Sequence, residues 1–207
     1  LARRLLGWGR GTVRTSVTFT LGANIESLAA AAGVTANLTL TGNTLSNLLT
    51  GGGGRDLIVG GGGNDTFSGG SGDDTLNGGT GNDLINGGLG NDRLTGDLGQ
   101  DAFVFDAALS ATANVDRILG FVAVDDTIHL DNAIFTGLGL ATGTLSSAAL
   151  RSGAGATMAG DASDRIIYDT STGNLYYDID GIGGAAAIQF AVLDNRAAIT
   201  AADFLIV

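Results

Sequence analysis

Residues 51–104 read GGGGRDLIV GGGGNDTFS GGSGDDTLN GGTGNDLIN GGLGNDRLT GDLGQDAFV, six gapless nine-residue copies beginning at 51, 60, 69, 78, 87 and 96. Each follows Gly-Gly-x-Gly-x-Asp-x-apolar-x, except that Asp97 replaces the second glycine of the last copy. Such a unit supplies one turn and one short strand. Glycine at positions one, two and four permits positive φ and close main-chain approach. The strand follows, with the position-eight side chain pointing inward: Ile58, Phe67, Leu76, Ile85, Leu94 and Phe103. Two units make one coil of 18 residues, so a copy stacks on the copy two further along, about 4.8 Å away. Strands 57–59, 75–77 and 93–95 should form one parallel sheet, and 66–68, 84–86 and 102–104 the other. The predicted fold class is all-β, a right-handed parallel β-roll (β-helix) of nonapeptide repeats followed by a C-terminal β-rich cap.

The same stacking files the position-six aspartates. Asp56, Asp74 and Asp92 form one file, and Asp65, Asp83 and Asp101 the opposite one. Two carboxylates about 5 Å apart repel by about 1 kcal/mol in water and about 3–4 kcal/mol at an effective dielectric of 20. A divalent cation between successive coils reverses that sign. Carboxylates and glycine carbonyls are an oxygen-only donor set, which suits Ca²⁺ with its six to eight oxygens in loose geometry. Magnesium demands a tighter octahedron, and zinc takes His or Cys. Complete pairs are 56/74, 74/92, 65/83 and 83/101, with Asn47/Asp65 a weaker one. Asp73 and Asp97 fall off this phase and read as solvated turn residues.

These copies resemble the hemolysin-type nonapeptide repeats of the RTX (repeats-in-toxin) family, calcium-binding repeats of bacterial proteins exported by type I secretion. The resemblance implies calcium ligands at the six position-six aspartates and a secreted location, extracellular or on the cell surface. It also implies a type I exporter as a partner. DAFVFDAALSATANVDRILGFVAVDDTIHL (101–130) looks like the usual exit of such a block into a capping domain. In this family an acidic residue before a short apolar run ends an uncleaved export signal, which Asp203, Phe204, Leu205, Ile206 and Val207 match. The residues alone read as a terminal strand.

Composition agrees with a cation partner. Of 36 glycines, 19 lie in the repeats; proline and cysteine are absent, so neither disulfides nor thiolate metal sites exist. All ten basic side chains are arginine, and the net charge of −11 divides as +3 over residues 1–50, −6 over 51–104 and −8 over 105–207. That balance excludes nucleic acid as an expected partner. No apolar run reaches the length of a membrane span, and LARRLLGWGR (1–10) lacks the core of a secretory signal. It reads as a frayed end or a short basic helix, and the sequence as a piece of a longer chain.

The expected organisation is 1–32 as an N-terminal lead-in, 33–50 as degenerate capping repeats, 51–104 as the roll, and 105–207 as a separate cap and secretion-signal domain. Val13, Thr15, Val17, Phe19 and Leu21 alternate as a strand. GVTANLTLT (33–41) and GNTLSNLLT (42–50) keep the apolar residues Leu40 and Leu49 but replace the aspartate with Leu38 and Asn47. In the cap, 165–180 should be a β-hairpin, Ile188, Phe190 and Val192 another strand face, and 146–150 and 201–204 short helices. His129 should be exposed, and Asp178 and Asp180, in a D-x-D-G fragment of a calcium loop that lacks the later ligands, should form either a solvated strand end or a further calcium site. No H-E-x-x-H, G-x-S-x-G or P-loop is present, so no catalytic residue and no small-molecule substrate are expected. Six apolar side chains cannot offset the backbone entropy of so much glycine, so the roll should be disordered without calcium and folded with it. Three classes follow: a calcium-binding structural module, the C-terminal tail of an exported protease, lipase or polysaccharide-modifying enzyme, or a metal-free glycine-rich scaffold.

Overall fold

The computed structural model describes residues 3–5 and 11–207. The reading of 1–10 as helix or frayed end falls outside them except at Arg3–Leu5, which is a strand. Strands β1 (Arg3–Leu5), β2 (Thr12–Thr15), β3 (Phe19–Thr20), β4 (Ser27–Ala30) and β5 (Thr39–Thr41) lead in. The repeats supply β6 (Leu48–Gly53), β7 (Leu57–Gly62), β8 (Thr66–Ser71), β9 (Thr75–Thr80), β10 (Leu84–Leu89), β11 (Arg93–Leu98) and β12 (Ala102–Phe105). Beyond them come β13 (Asp116–Leu119), β14 (Thr127–Leu130), β15 (Gly143–Thr144), β16 (Leu150–Gly153), β17 (Ile166–Asp169), β18 (Asn174–Tyr177), β19 (Ile188–Leu193) and β20 (Phe204–Ile206).

Successive strands of the roll alternate between two sheets. Among the described residues one sheet runs β1-β2-β4-β6-β8-β10-β12-β14-β20-β15 and the other β16-β17-β18-β19-β13-β11-β9-β7-β5-β3. Pairing within the roll is parallel and steps by 18 residues: Ile58 lies beside Leu76, Leu76 beside Leu94, Phe67 beside Ile85, and Ile85 beside Phe103. Each six-residue strand joins the last three residues of one copy to the first three of the next, leaving positions four to six for the corner. At that corner Gly72 has φ 113°, and a Cβ there would collide with the carbonyl of Gly54 one coil below. All six position-eight side chains are buried between the sheets, and the core runs on through Leu28, Leu40 and Leu49 upstream and Ile118, Ile128 and Phe204 downstream.

The chain beyond Val104 leaves the nine-residue rule but stays in the same two sheets, where β13 pairs with β11, β14 with β12, β19 with β13 and β20 with β14. Residues 105–207 thus extend the roll and share its core. Aromatic rings fill the widening end: Phe105 and Phe135 both meet Phe190 edge-on, at 5.1 and 5.2 Å, and Phe135 also meets Tyr177.

The hairpin expected at 165–180 is β17 with β18. The helices expected at 146–150 and 201–204 are 3₁₀ turns, Ser147–Ala149 and Ala201–Asp203. Two expectations are corrected. The single strand expected across 13–21 is broken, because Thr15 Oγ1 both donates to Val17 O and accepts Val17 N–H, turning the chain from one sheet to the other. In β19 the register against β18 shifts at Leu175/Tyr176, so Phe190, Ala191 and Leu193 are buried while Val192 faces outward. Among the described residues no helix is long and apolar enough to cross a membrane.

Candidate metal centre

The six repeat aspartates sit at the corners, where the chain passes from one sheet to the other. Asp56, Asp74 and Asp92 line one edge of the roll and Asp65, Asp83 and Asp101 the other, all 1–3% exposed. One oxygen of each has a fixed duty. Oδ1 of Asp74 accepts the main-chain N–H of Asp56 at 2.7 Å, and Oδ1 of Asp92 that of Asp74 at 2.7 Å. On the other edge Asp83 accepts from Asp65 at 2.7 Å and Asp101 from Asp83 at 2.9 Å. The stacking inferred from the period therefore brings together all six, three to an edge.

The second oxygen is the informative one. Oδ2 of all six aspartates is buried and accepts no hydrogen bond. A buried acceptor left without a donor costs about 1–3 kcal/mol, more when charged, and here the deficit recurs in every copy. Beside it lie a main-chain carbonyl of the next coil, a glycine and the edge of the core. A Cβ at Gly51, position one of its copy, would lie 2.5 Å from the carbonyl of Gly69 and 2.6 Å from Asp56 Oδ2. Position one is therefore glycine because the carboxylate and the next coil's carbonyl already occupy that space. Among the described residues the one ion pair is Arg55 with Asp73, at 3.9 Å on the surface. Among the described residues no arginine pairs with either file.

Acidity follows from this setting. Burial pushes the carboxyl groups of Asp65 and Asp74 up to about 7 and those of Asp92 and Asp101 to about 6, against the lowering effect of the N–H each accepts. Neighbouring carboxylates add to the rise, Asp83 beside Asp65 and Asp92 and Asp56 beside Asp74. Asp56 and Asp83 shift the same way, again chiefly through burial.

Each file is longer than the repeats. Asp116 Oδ1 accepts the N–H of Asp92 and Asp126 Oδ1 that of Asp101, both at 3.1 Å. Burial, then the charge of Asp92, pushes Asp116 to about 8. Sequence reading missed both because their coils are 24 and 25 residues long. The available signal was the second half of the motif, Asp-x-apolar, in Asp116-Arg117-Ile118 and Asp126-Thr127-Ile128. At the other end the files close without carboxylates. Leu38 donates its N–H to Asp56, and Asn47 donates its own to Asp65. The Asn47 amide is already engaged, its oxygen by Asn43 N–H and its nitrogen by Ile25 O and Asn43 Oδ1.

The off-phase Asp73 and Asp97 are exposed, and two residues beyond the repeats, Asp178 and His129, differ from expectation. Asp73 Oδ1 also accepts Asn91 N–H in an outer ladder at position five; on the opposite edge a matching ladder runs from Asn64 to Asn82 and from Asn82 to Gln100. Asp97 holds φ 71° and accepts from Asn77 Nδ2. Asp178 is buried, with Oδ1 capping the N–H groups of Asp180 and Gly181, because the strand ends at Tyr177 and turns there. His129 is half-buried beside Thr127, and burial lowers its pKa.

Among the described residues no three His, Cys, Asp or Glu side chains gather at one point. A cation held here would take its aspartate oxygens in pairs and its remaining donors from main-chain carbonyls. That oxygen-only set, with a bare buried carboxylate oxygen at every step, fits a hard dication of calcium type.

A family of nonapeptide repeats shares this pattern. The RTX calcium-binding nonapeptide repeat (4 copies) matches residues 41–76 and again 68–103. No curated protein matches the chain. A solved structure, the solution structure of the AlgE6R3 subunit from the Azotobacter vinelandii mannuronan C5-epimerase, is similar over 81% of this chain and 77% of that one. The two are 24% identical, with a TM-score of 0.36. Residues 41–103 of this chain thus match the RTX calcium-binding nonapeptide repeat, and calcium is the ion that such repeats bind.

Proposed function

We propose that this chain is the calcium-folded module of an extracellular protein exported by type I secretion, with Asp56, Asp65, Asp74, Asp83, Asp92 and Asp101 as its side-chain ligands. The six buried Oδ2 atoms without a hydrogen bond carry the reading. Calcium, when bound, supplies the positive charge that both files lack. The residues do the rest: Oδ1 of each aspartate ties its coil to the one before, Oδ2 stays open to the metal, and position-one glycine keeps the space clear.

Export fits the same physics. Sites of extracellular type have Kd values of order 10⁻⁴–10⁻³ M, so they stay empty at the low free calcium inside a cell. Asp203, Phe204 and Ile206, the core of the candidate export signal, are buried in the folded chain. An exporter would therefore read them only before folding, and calcium outside the cell would close the structure behind it.

The test is a calcium titration followed by far-UV circular dichroism. Asp83 belongs to the steps 65/83 and 83/101, whereas Asp101 belongs to one full step within the repeats. Asp83→Ala should raise the calcium midpoint by about tenfold or more and flatten the transition, and Asp101→Ala should do so less. Asp73→Asn keeps the acceptor for Asn91 N–H and should leave the midpoint unchanged. A native chain whose spectrum ignores calcium, or an Asp73→Asn midpoint as displaced as that of Asp83→Ala, would refute the assignment.

A further inference from the structure

We infer that Asp116, outside the repeats, completes a further calcium site with Asp92, and that the opposite file ends at Asp101 because Asp126 is already committed. The inference rests on the calcium reading of the repeat aspartates. The step from Asp92 to Asp116 keeps the hydrogen bonds that join the aspartates and their neighbours in the step from Asp74 to Asp92. Asp74 N–H donates to Asp92 Oδ1, and Asp92 N–H to Asp116 Oδ1. Arg93 N–H donates to Asp74 O, and Arg117 N–H to Asp92 O, at 2.9 and 2.8 Å. Even the outer ladder continues, with Asn91 N–H on Asp73 Oδ1 and Val115 N–H on Asn91 Oδ1. Arg117 and Ile118 then pair with Arg93 and Leu94 in the register of the roll.

The six extra residues of this coil are thus looped out before the corner, and the corner itself is rebuilt. Asn114 replaces a main-chain partner there, its Oδ1 accepting Gly90 N–H at 2.9 Å. Asp92 brings to the step a carboxylate that is 1% exposed and whose Oδ2 has no hydrogen bond. Asp116 brings another that is 4% exposed and whose Oδ1 takes Asp92 N–H. Asp126 is engaged at both oxygens. Its Oδ1 takes Asp101 N–H as the pattern requires, but its Oδ2 takes Val122 N–H at 2.9 Å, closing the tight turn 122–126. Its lone pairs are turned to the chain rather than to a metal, so the two edges of the roll end differently.

Counting ions on the whole 207-residue chain tests this. Equilibrium dialysis against saturating calcium, with elemental analysis, would be run on the native protein, Asp116→Asn and Asp126→Asn. Asparagine at 116 keeps an oxygen for Asp92 N–H and removes only the charge. The four steps within the repeats plus Asp92/Asp116 give five ions for the native chain, four for Asp116→Asn and five for Asp126→Asn. A native count of four, or equal counts for native and Asp116→Asn, overturns the inference while leaving the repeat sites standing. An ion lost from Asp126→Asn overturns the one-sided ending. A native chain that binds no calcium refutes the underlying reading instead. Should Asp116→Asn fail to fold, a crystal of the native chain grown in calcium decides. An ion about 2.3–2.6 Å from an Asp116 oxygen supports the site, and a calcium-loaded roll with none there overturns it.

Discussion

At position one of each copy a hydrogen atom stands where any other residue would press a carbon atom onto the carboxylate of its own copy, and in the first four copies onto a carbonyl of the next coil as well. Gly69 shows the consequence: a Cβ there would meet Gly87 O and Asp74 Oδ2. Gly62, at position three, meets only a side chain that can turn aside, the hydroxyl of Thr80 at 3.2 Å from its Cβ. The sequence already places Ser71, Thr80, Leu89 and Leu98 at position three. Gly69→Ala should therefore abolish calcium-induced folding or raise its midpoint by about tenfold or more, whereas Gly62→Ala should shift it by less than twofold. Equal midpoints for the two would show that the space at position one does not decide the choice of glycine there.

The carboxylate file is the element in which acidity becomes mechanism. Folded pKa values of about 6 to 8 at Asp65, Asp74, Asp92, Asp101 and Asp116 exceed the ordinary value near 4 that an unfolded chain would show. The metal-free fold therefore binds more protons than the unfolded chain does. Its stability is fully present below about pH 4 and is lost as pH rises through the folded values toward 8. Without calcium, strand ellipticity should grow as pH falls from 8 to 5. With calcium the proton is a competitor, so the calcium midpoint should rise over the same descent. A metal-free chain better ordered at pH 8 than at pH 5 would reverse that sign and refute it. How much of this was legible follows from regularity. The nine-residue period sets strand, corner, inward side chain and carboxylate at once, so six aspartates and six core residues could be named from sequence. Where the period fails, so does the reading. Loops of unequal length hid Asp116 and Asp126, and one register shift at Leu175/Tyr176 exchanged Val192 for Leu193 in the core.

For the molecule as a whole, the continuity of the two sheets ties the far end to the metal files. Phe204 is buried beside Ile128, two residues from Asp126, and Ile128 lies beside Phe103, two residues from Asp101. Phe204→Ala should cost about 3–5 kcal/mol of stability in urea at saturating calcium, and it should also raise the calcium midpoint of the repeats. Leu205→Ala, on the outer face, should do little to either. A Phe204→Ala chain with the native calcium midpoint would mean that cap and repeats fold independently. The 18-residue coil has one more consequence, which concerns parity. A single nonapeptide is half a revolution. Deleting 69–77 should leave a roll that still folds, shorter by about 2.4 Å, half a strand spacing, and binding one ion fewer. Its strand β2, however, would now lie on the opposite sheet relative to β20. Deleting 69–86 removes a full coil and restores the original side. The number of copies therefore fixes direction as well as length: odd or even, it decides from which face of the roll the chain arrives.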